Sequence, residues 1–224
     1  VYNHIIMPLA TPRDRNTQII WGIADFEKRF NRKPEGMWLA ETAVDTATLE
    51  LLAQHNILFT ILAPRQAKAF RKLNDDQWQT INENQLDTAI PYAYKLPSGR
   101  TIALFFYNGQ ISREVAFNGL LNSGKLFADR LIAATRDTEQ PQLIHIATDG
   151  ESYGHHHYRG DMALASCIDY LKKNKSVTLT NYGEFLAKFP PQYEIQIHEN
   201  SSWSCVHGVE RWRSNCGCSD GGNP

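Results

Sequence analysis

The chain has 224 residues, of which 42% are hydrophobic and 21% are charged, as is usual for globular proteins. Its 23 Lys and Arg residues balance 24 Asp and Glu residues, and no basic run is present, which argues against a nucleic-acid-binding function. No apolar stretch approaches the roughly 20 residues that a membrane-spanning helix needs, so the composition also argues against an integral membrane protein.

The first residues and the cysteines set further expectations. The chain begins at Val1 with neither a charged leader nor a signal-peptide pattern, so we expect a segment from the interior of a longer protein. Four cysteines are too few for a disulfide scaffold at this size, and their unpaired pattern indicates a cytoplasmic location. Cys167 lies in an apolar helical pattern, which predicts a buried thiol.

The first half of the chain alternates helical and extended patterns. Helices are predicted where apolar residues recur every three or four positions, and strands where short apolar runs end at turn-forming residues. In chain order these elements are a helix over Asp14–Asn31, a strand over Gly36–Ala40, a helix over Asp45–His55, a strand over Ile57–Leu62, a short helix over Arg65–Arg71 and a polar excursion over Asn74–Asp87.

The second half continues the alternation. In order it predicts a hairpin of Pro91–Leu96 and Arg100–Tyr107, a helical region Ser112–Ala134 with a break at Ser123, a strand over Leu143–Thr148, helices over Gly160–Lys173 and Tyr182–Phe189, and weaker strands over Val177–Leu179 and Tyr193–Ile197. We therefore expect an α/β fold with a mostly parallel sheet. Residues 1–224 are predicted to form one domain, and residues 199–224 a Cys- and Trp-rich C-terminal segment.

Two acidic residues occupy equivalent positions in this pattern. Glu41 ends the strand Gly36–Ala40, and Asp149 ends the strand Leu143–Thr148. The carboxyl ends of parallel strands share one face, where active sites lie, so residues a hundred positions apart can meet there. Each acid could instead cap the helix that follows it. A pair of carboxylates beside aromatic and imidazole groups suits glycoside chemistry, in which one attacks the anomeric carbon and the other protonates the leaving oxygen.

Three segments resemble glycoside hydrolase family 57. Gly36-Met37-Trp38-Leu39-Ala40-Glu41-Thr42 is similar to its nucleophile region, Thr148-Asp149-Gly150-Glu151-Ser152-Tyr153-Gly154-His155 to its acid/base region, and Asn3-His4-Ile5-Ile6-Met7-Pro8-Leu9 to the region before them. The resemblance spans nearly the whole chain. It is strongest to a branch in which a segment such as Ser201-Ser202-Trp203-Ser204-Cys205-Val206-His207-Gly208-Val209-Glu210-Arg211-Trp212 follows.

The resemblance implies an incomplete (β/α)7 TIM-like barrel and a retaining α-glucan hydrolase or glucanotransferase that needs no cofactor. It implies Glu41 as nucleophile and Asp149 as general acid/base, acting on an α-glucan or maltooligosaccharide. Residues at the sugar-facing wall would be His4, Trp38, His155 and Trp203. The family usually has proline where Ala40 stands, and its His-Gln-Pro-like first motif is absent here, so a barrel strand and part of the sugar site are expected to be missing.

Further side chains are candidates for sugar contacts. Tyr107 and Trp203 could stack on glucose rings or simply be buried aromatics, and Asn108, after a predicted strand, could bond a hydroxyl. Tyr153 is expected to desolvate the acid/base. Donors are expected around Glu41, since a nucleophile must be ionised.

Two groups of residues suggest metal ligands. His155, His156 and His157 with Asp149 and Asp161 would fit a metal-dependent polysaccharide deacetylase-like hydrolase, although adjacent histidines do not easily reach one metal. Cys205, His207, Cys216 and Cys218 could bind zinc or an iron–sulfur cluster, but their spacing is not the usual Cys-x2-Cys, so free thiols or a disulfide are the alternatives. A third reading of the whole chain is a catalytically silent carbohydrate-binding fragment.

Overall fold

The structure is a computed structural model that describes residues 1–81 and 85–218. Its helices are α1 (Pro12–Phe30), α2 (Thr46–Gln54), α3 (Gly109–Phe117), α4 (Gly124–Ile132), α5 (Gly160–Lys173), α6 (Tyr182–Lys188) and α7 (Glu210–Arg213). Its strands are β1 (Phe59–Leu62), β2 (Ala67–Lys72), β3 (Gln79–Thr80), β4 (Tyr92–Lys95), β5 (Thr101–Phe106) and β6 (Tyr193–Ile197). None of the helices in the described ranges is both long and apolar enough to cross a membrane.

The chain forms two compact units. The first, which we call the sheet unit, takes its described residues from Val1–Leu86, Pro91–Phe106 and Pro191–Pro224 and contains every strand together with α1, α2 and α7. The second, the helical unit, takes its residues from Asp87–Ile90 and Tyr107–Pro190 and contains α3 to α6. The prediction of one domain over residues 1–224 stays a prediction.

The sheet has six strands in the order β1-β5-β4-β6-β2-β3. The pairs β1–β5 and β4–β6 are parallel, whereas β4–β5, β2–β6 and β2–β3 are antiparallel. The expected α/β fold with parallel pairs is therefore confirmed, but the sheet is mixed rather than mostly parallel. One reason is the predicted hairpin, because strands joined by a turn as short as Leu96–Arg100 must run antiparallel.

The prediction of a short helix over Arg65–Arg71 is wrong. A short 3-10 turn at Pro64–Gln66 leads directly into β2, whose Phe70 pairs with Ile195 of β6. Burial alternates at the start of this strand, with Ala67 and Ala69 inside and the residue between them outside. Pairing with a strand more than 120 residues away overrides the helix propensity of Ala, Lys and Arg.

Two further strand predictions are wrong, and a third is reduced to one bridge. Residues 143–148 are not a strand in the structure, because their backbone groups bond to scattered partners: Leu143 N–H donates to the Ala89 carbonyl, and Ala147 N–H donates to Ser112 Oγ. Val177–Leu179 is likewise not a strand. The segment predicted as a strand over Gly36–Ala40 forms a single parallel bridge, from Gly36 to Phe59, and its last residue already belongs to a 3-10 turn.

The helices of the helical unit lie where the sequence predicts helices. α5 has the predicted bounds, and Ser123 caps α4 by accepting a hydrogen bond from Leu126 N–H. At Gly124 an added Cβ would lie 2.5 Å from Cβ of Ser166, so only glycine allows α4 to approach α5 this closely. The predicted burial of Cys167 is confirmed, and this burial raises the pKa of its thiol to about 11.

Candidate active site

Glu41 follows an extended segment that runs beside β1. Met37 N–H donates to the Phe59 carbonyl at 3.2 Å, and Leu58 N–H donates to the Glu35 carbonyl at 2.7 Å. The two segments approach so closely that a Cβ on Gly36 would lie 2.3 Å from the Phe59 ring. The chain then turns in a 3-10 turn over Ala40–Thr42 that carries Glu41. Although a continuous strand is absent, the acid stands at the carboxyl end of an extended segment, as the sequence indicates.

The backbone of this turn is strained. Glu41 has φ 58° and ψ 16°, and Thr42 has φ 50°, so both adopt the left-handed conformation. This conformation is uncommon outside glycine and a genuine outlier for a β-branched residue such as threonine. Each such residue costs about 1–3 kcal/mol, and such strain concentrates at functional sites because the surrounding structure must hold it.

Gln66 is the residue that holds the turn. Its side chain is fully buried, accepts a hydrogen bond from Thr42 Oγ1 and donates to the Thr42 carbonyl, both at 2.8 Å. It also accepts from Ala63 N–H at 2.8 Å and donates to Ser201 Oγ at 3.1 Å. One amide thus ties the strained turn to the segment that contains Trp203. No sequence pattern marks Gln66 as a site residue, because it lies within the segment wrongly predicted to be a helix.

We expect Gln66→Met to lower the free energy of unfolding by about 2–4 kcal/mol, because it keeps the volume but leaves several buried donors and acceptors unpaired. Urea-induced unfolding measures this loss. Gln140→Met, at an exposed position, serves as the matched control and should change stability by less than about 0.5 kcal/mol. A stability of Gln66→Met equal to that of the wild type would contradict the anchoring role.

The Glu41 carboxylate is surrounded by donors. Nε2 of His4 lies 3.0 Å from Oε1, and the indole N–H of Trp203 donates to Oε2 at 2.9 Å. The backbone N–H of Trp203 also donates to the Glu41 carbonyl at 3.0 Å. The Trp203 ring meets the half-exposed Trp38 edge to face, with centroids 5.1 Å apart. Three of the predicted site residues, His4, Trp38 and Trp203, are therefore gathered around Glu41.

The electrostatics of the site favour the ionised form of Glu41. Partial burial raises the pKa of the Glu41 carboxyl, but the hydroxyl of Ser204, the indole of Trp203 and the imidazole of His4 together outweigh it and hold the pKa below its usual value. Ser204 Oγ is buried and has no well-aligned partner within the described ranges, so its proton can point toward the carboxylate. Because the folded pKa is lowered, the charge stabilises the fold above the unfolded pKa, and this contribution is lost as pH falls through the folded value.

We expect Trp203→Phe to raise the pKa of Glu41, because it removes one donor and keeps an aromatic ring against Trp38. Ionisation of Glu41 sets the acidic limb of the kcat/KM profile if Glu41 is the nucleophile, so that limb should move to higher pH, and kcat/KM at its optimum should fall about tenfold. Trp21→Phe, at an exposed position, is the control. An unshifted acidic limb would show that the indole does not tune this carboxylate.

A cleft of about 460 Å³ opens within the sheet unit. His4, Met37, Trp38 and Ala40 are among its lining residues, so it adjoins the position of Glu41. Imidazole, indole and thioether groups give it a mixed polar and apolar wall. It can accept a ligand with both hydroxyls and apolar C–H faces.

Asp149 belongs to the helical unit. It is exposed and directly precedes a 3-10 turn over Gly150–Tyr153, and its carbonyl accepts a hydrogen bond from Ser152 N–H at 3.1 Å. The Tyr153 hydroxyl lies 2.8 Å from Oγ1 of Thr148, the residue that precedes Asp149 in the chain. The side chain of Asp149 makes no capping hydrogen bond to this turn, which leaves the carboxylate available for chemistry.

The histidine run divides into exposed and bound members. His155 is exposed, and its ring centroid lies 5.0 Å from that of His156, whereas Nε2 of His157 lies 2.8 Å from the Ala116 carbonyl. In the part of the chain that the structure describes, these histidines do not converge with Asp149 or Asp161 as metal ligands would. The arrangement leaves His155 free for a hydroxyl contact and gives His157 a structural bond.

The remaining two predicted contacts are engaged in the fold. Oδ1 of Asn108 accepts from Ile111 N–H at 2.9 Å and caps α3, and Tyr107 is buried, 9% exposed. The His145 carbonyl accepts a hydrogen bond from Asn108 N–H, and the side chain of this histidine is buried. Its Nδ1 lies 2.9 Å from the Tyr182 hydroxyl, and its Nε2 lies 3.1 Å from the Thr88 carbonyl. Burial raises the pKa of Tyr182, which keeps this tyrosine a neutral hydrogen-bonding group.

Solved structures share this fold at low sequence identity. A GH57 branching enzyme from Thermococcus kodakaraensis, in complex with glucose, matches with a TM-score of 0.73 and 17% identity over 95% of this chain and 50% of its own. A 4-α-glucanotransferase from Thermococcus litoralis matches with a TM-score of 0.70 and 18% identity over 89% of this chain and 29% of its own. A Mycobacterium smegmatis structure described as a polysaccharide deacetylase matches with a TM-score of 0.55 and 16% identity over 84% of this chain and 62% of its own.

These identities show the fold alone, and the chain spans between about a third and two thirds of each structure. No curated protein is similar enough in sequence to count as a relative. The model of glycosyl hydrolase family 57, however, matches residues 1–198, which is most of the chain and includes both candidate carboxylates. The chain therefore belongs to glycosyl hydrolase family 57.

Proposed function

We propose that the protein containing this chain is a retaining α-glucan hydrolase or glucanotransferase with Glu41 as nucleophile and Asp149 as general acid/base. The observation that carries the proposal is the set of donors around Glu41, since an ionised carboxylate held at a fixed angle by His4 and Trp203 is what a glycosidic nucleophile needs. Membership of the family supports the same assignment.

The proposed reaction has two steps. Glu41 attacks the anomeric carbon and forms a glycosyl ester, while Asp149 gives its proton to the departing glycosidic oxygen. Asp149, now ionised, then takes a proton from water or from a sugar hydroxyl, which attacks the same carbon and releases Glu41. Water gives hydrolysis and a sugar hydroxyl gives transfer. Each carboxylate ends in its starting protonation state, and no cofactor enters the reaction.

The surrounding residues would bind an α-glucan or maltooligosaccharide. Trp38, half exposed beside the cleft, would stack on a glucose ring, and His4 would contact a hydroxyl close to the nucleophile. Trp203 would mainly orient Glu41. In the helical unit we assign Tyr153 and the exposed His155 to sugar contacts near Asp149. Tyr107 is buried and the Asn108 side chain caps α3, so any contact that they make with the sugar would be secondary.

We further propose that the chain contributes part of an incomplete (β/α)7 barrel. Retention in general requires a nucleophile and an acid/base whose carboxyl groups are about 5–5.5 Å apart. A cytoplasmic location, expected from the cysteines, belongs to the same proposal.

A second candidate is a polysaccharide deacetylase-like hydrolase, favoured by the fold shared with the Mycobacterium smegmatis structure. It requires release of acetate rather than cleavage of a glycosidic bond. The lack of converging metal ligands near Asp149 among the described residues argues against it. A catalytically silent carbohydrate-binding fragment is the third reading.

One experiment separates these candidates. The protein is incubated with maltooligosaccharides, and the anomer formed in the first turnovers is followed by proton NMR. We expect α-configured product before mutarotation. A β-configured first product would contradict the retaining mechanism. Acetate release from an acetylated polysaccharide without glucan cleavage would favour the deacetylase, and binding without turnover would favour the silent fragment.

A further inference from the structure

Four potential metal ligands converge in the segment after β6. The sulfur atoms of Cys205, Cys216 and Cys218 and a ring nitrogen of His207 all lie within 4.8 Å of one another. All four cysteines of the chain are free thiols, and the Cys205 sulfur lies 3.8 Å from Cys216 and 3.6 Å from Cys218, far beyond the roughly 2.05 Å of a disulfide. The cluster lies within the sheet unit.

These separations fit a tetrahedral zinc ion. Zinc binds thiolate at about 2.3 Å and imidazole at about 2.0–2.1 Å, so tetrahedral ligands should stand roughly 3.6–3.8 Å apart. Cys205 meets this distance to Cys216, to Cys218 and to Nδ1 of His207, which lies 3.8 Å away. The contact from His207 Nδ1 to the Cys218 sulfur, 3.2 Å, is slightly shorter. Three cysteines and one histidine are a usual ligand set of structural zinc.

The backbone is shaped to bring these ligands together. Gly217, between two of the cysteines, has φ 76°, and this left-handed residue reverses the chain within Cys-x-Cys. Gly208 has φ 61°, and a Cβ there would lie 2.0 Å from the Asn200 carbonyl oxygen. The N–H of His207 points at the Cys205 sulfur at 3.4 Å, as backbone donors do toward metal-bound thiolates. The unusual ligand spacing is thus compatible with one site.

We propose that Cys205, His207, Cys216 and Cys218 bind one Zn²⁺ ion as a closed structural site. On binding, the three thiols release their protons to solvent as the zinc–sulfur bonds form, and no oxidation or reduction takes place. Four protein ligands leave no position for water, so the ion has no hydrolytic role.

A zinc ion in this cluster would fix the position of the segment that contains Trp203, which binds Glu41. Cys205 lies two residues after Trp203, whose indole N–H donates to the Glu41 carboxylate, and the Ser201 carbonyl accepts from Val44 N–H at 3.0 Å. Zinc would close a loop of residues 205–218 directly behind this donor. This consequence for catalysis rests on the proposed function, whereas zinc binding itself does not.

Metal content tests the proposal without any assay of turnover. The chain is purified under reducing conditions without chelator or histidine tag, and metals are measured by inductively coupled plasma mass spectrometry. We expect one zinc per chain in the wild type and in Cys167→Ala, which removes a buried thiol outside the cluster. Cys205→Ser and Cys218→Ser should each lose at least about nine tenths of the zinc.

Metal uptake by the wild-type protein tests the site even if a cysteine variant fails to fold. Wild-type protein stripped of metal should bind one cobalt ion with the absorption bands of a tetrahedral thiolate site, and zinc should displace it. His207→Asn, at an exposed position, should weaken zinc binding at least tenfold. Stoichiometric iron, a Cys205 disulfide found by thiol counting, or failure of the stripped protein to take up zinc would each overturn it.

The structural role has its own measurement. Arg211 and Arg213 are exposed and lie between the ligands His207 and Cys216, so trypsin can report on this segment. We expect cleavage at these two residues to be at least tenfold slower with zinc bound than after its removal. Equal rates would contradict a role in fixing the segment even if zinc binds.

Discussion

Glu41→Gln is expected to reduce kcat on maltooligosaccharides on the order of 10⁵-fold, which is about 7 kcal/mol of lost transition-state stabilisation. The amide keeps the shape of the side chain but can neither attack the anomeric carbon nor stabilise its positive charge. His4 and Trp203 each contact one of the two carboxylate oxygens, so we expect the substitution to change the reactivity of the side chain more than its position. Steady-state and single-turnover kinetics measure the loss.

Glu139→Gln, at an exposed position, is the matched control and should keep the wild-type rate. Glu41→Ala adds a more specific test, because it leaves a gap that azide can occupy. Azide should then attack from the nucleophile's face and give a β-glycosyl azide, opposite in configuration to the α-glucan. Wild-type turnover in Glu41→Gln, or rescue that yields only the α-azide, would remove Glu41 from the role of nucleophile.

Local patterns were sufficient for most of the helices. α5 has the predicted bounds and α1 begins two residues before its predicted start, because amphipathic periodicity and capping residues act over one or two turns of the chain. The hairpin of β4 and β5 was also predictable, since Pro97-Ser98-Gly99 supplies a turn whose Gly99 adopts φ 83°. These elements depend on neighbours in sequence.

Elements that depend on distant partners could not be predicted in this way. β2 contains residues with good helix propensity and becomes a strand because β6 pairs with it. The segment 143–148 has strong strand propensity and yet lacks a continuous partner, so its N–H groups bond elsewhere, as Ala147 does to Ser112. The sequence contains no local signal for either outcome.

The residues of the candidate site also differ in whether the local sequence reveals them. Glu41 was found from its place after an extended segment, and His4, Trp38 and Trp203 from the family resemblance, but the bond that joins Trp203 to Glu41 spans 162 positions. Gln66 gave no signal, since a buried glutamine is recognisable only from the groups it satisfies. The cysteine cluster was visible as residue types, and only the fold brings its ligands together.

Asp149→Asn is expected to reduce kcat on maltooligosaccharides about 10²–10⁴-fold, because a sugar alkoxide leaves poorly without a proton. The effect should depend on the leaving group. On an aryl α-glucoside whose phenol is acidic enough to leave unprotonated, the first step should stay close to the wild-type rate, and a burst of phenol should precede slow release of the sugar. Asp137→Asn, an exposed acid in the same unit, is the control.

Azide distinguishes this role from that of Glu41. In Asp149→Asn the glycosyl ester on Glu41 still forms, so azide attacks the ester from the opposite face and gives an α-glycosyl azide with accelerated turnover. The two variants should therefore give azides of opposite configuration from one substrate, which no purely structural role for either acid can produce. If Asp149→Asn lost activity equally on poor and good leaving groups and azide did not restore it, another residue would have to donate the proton.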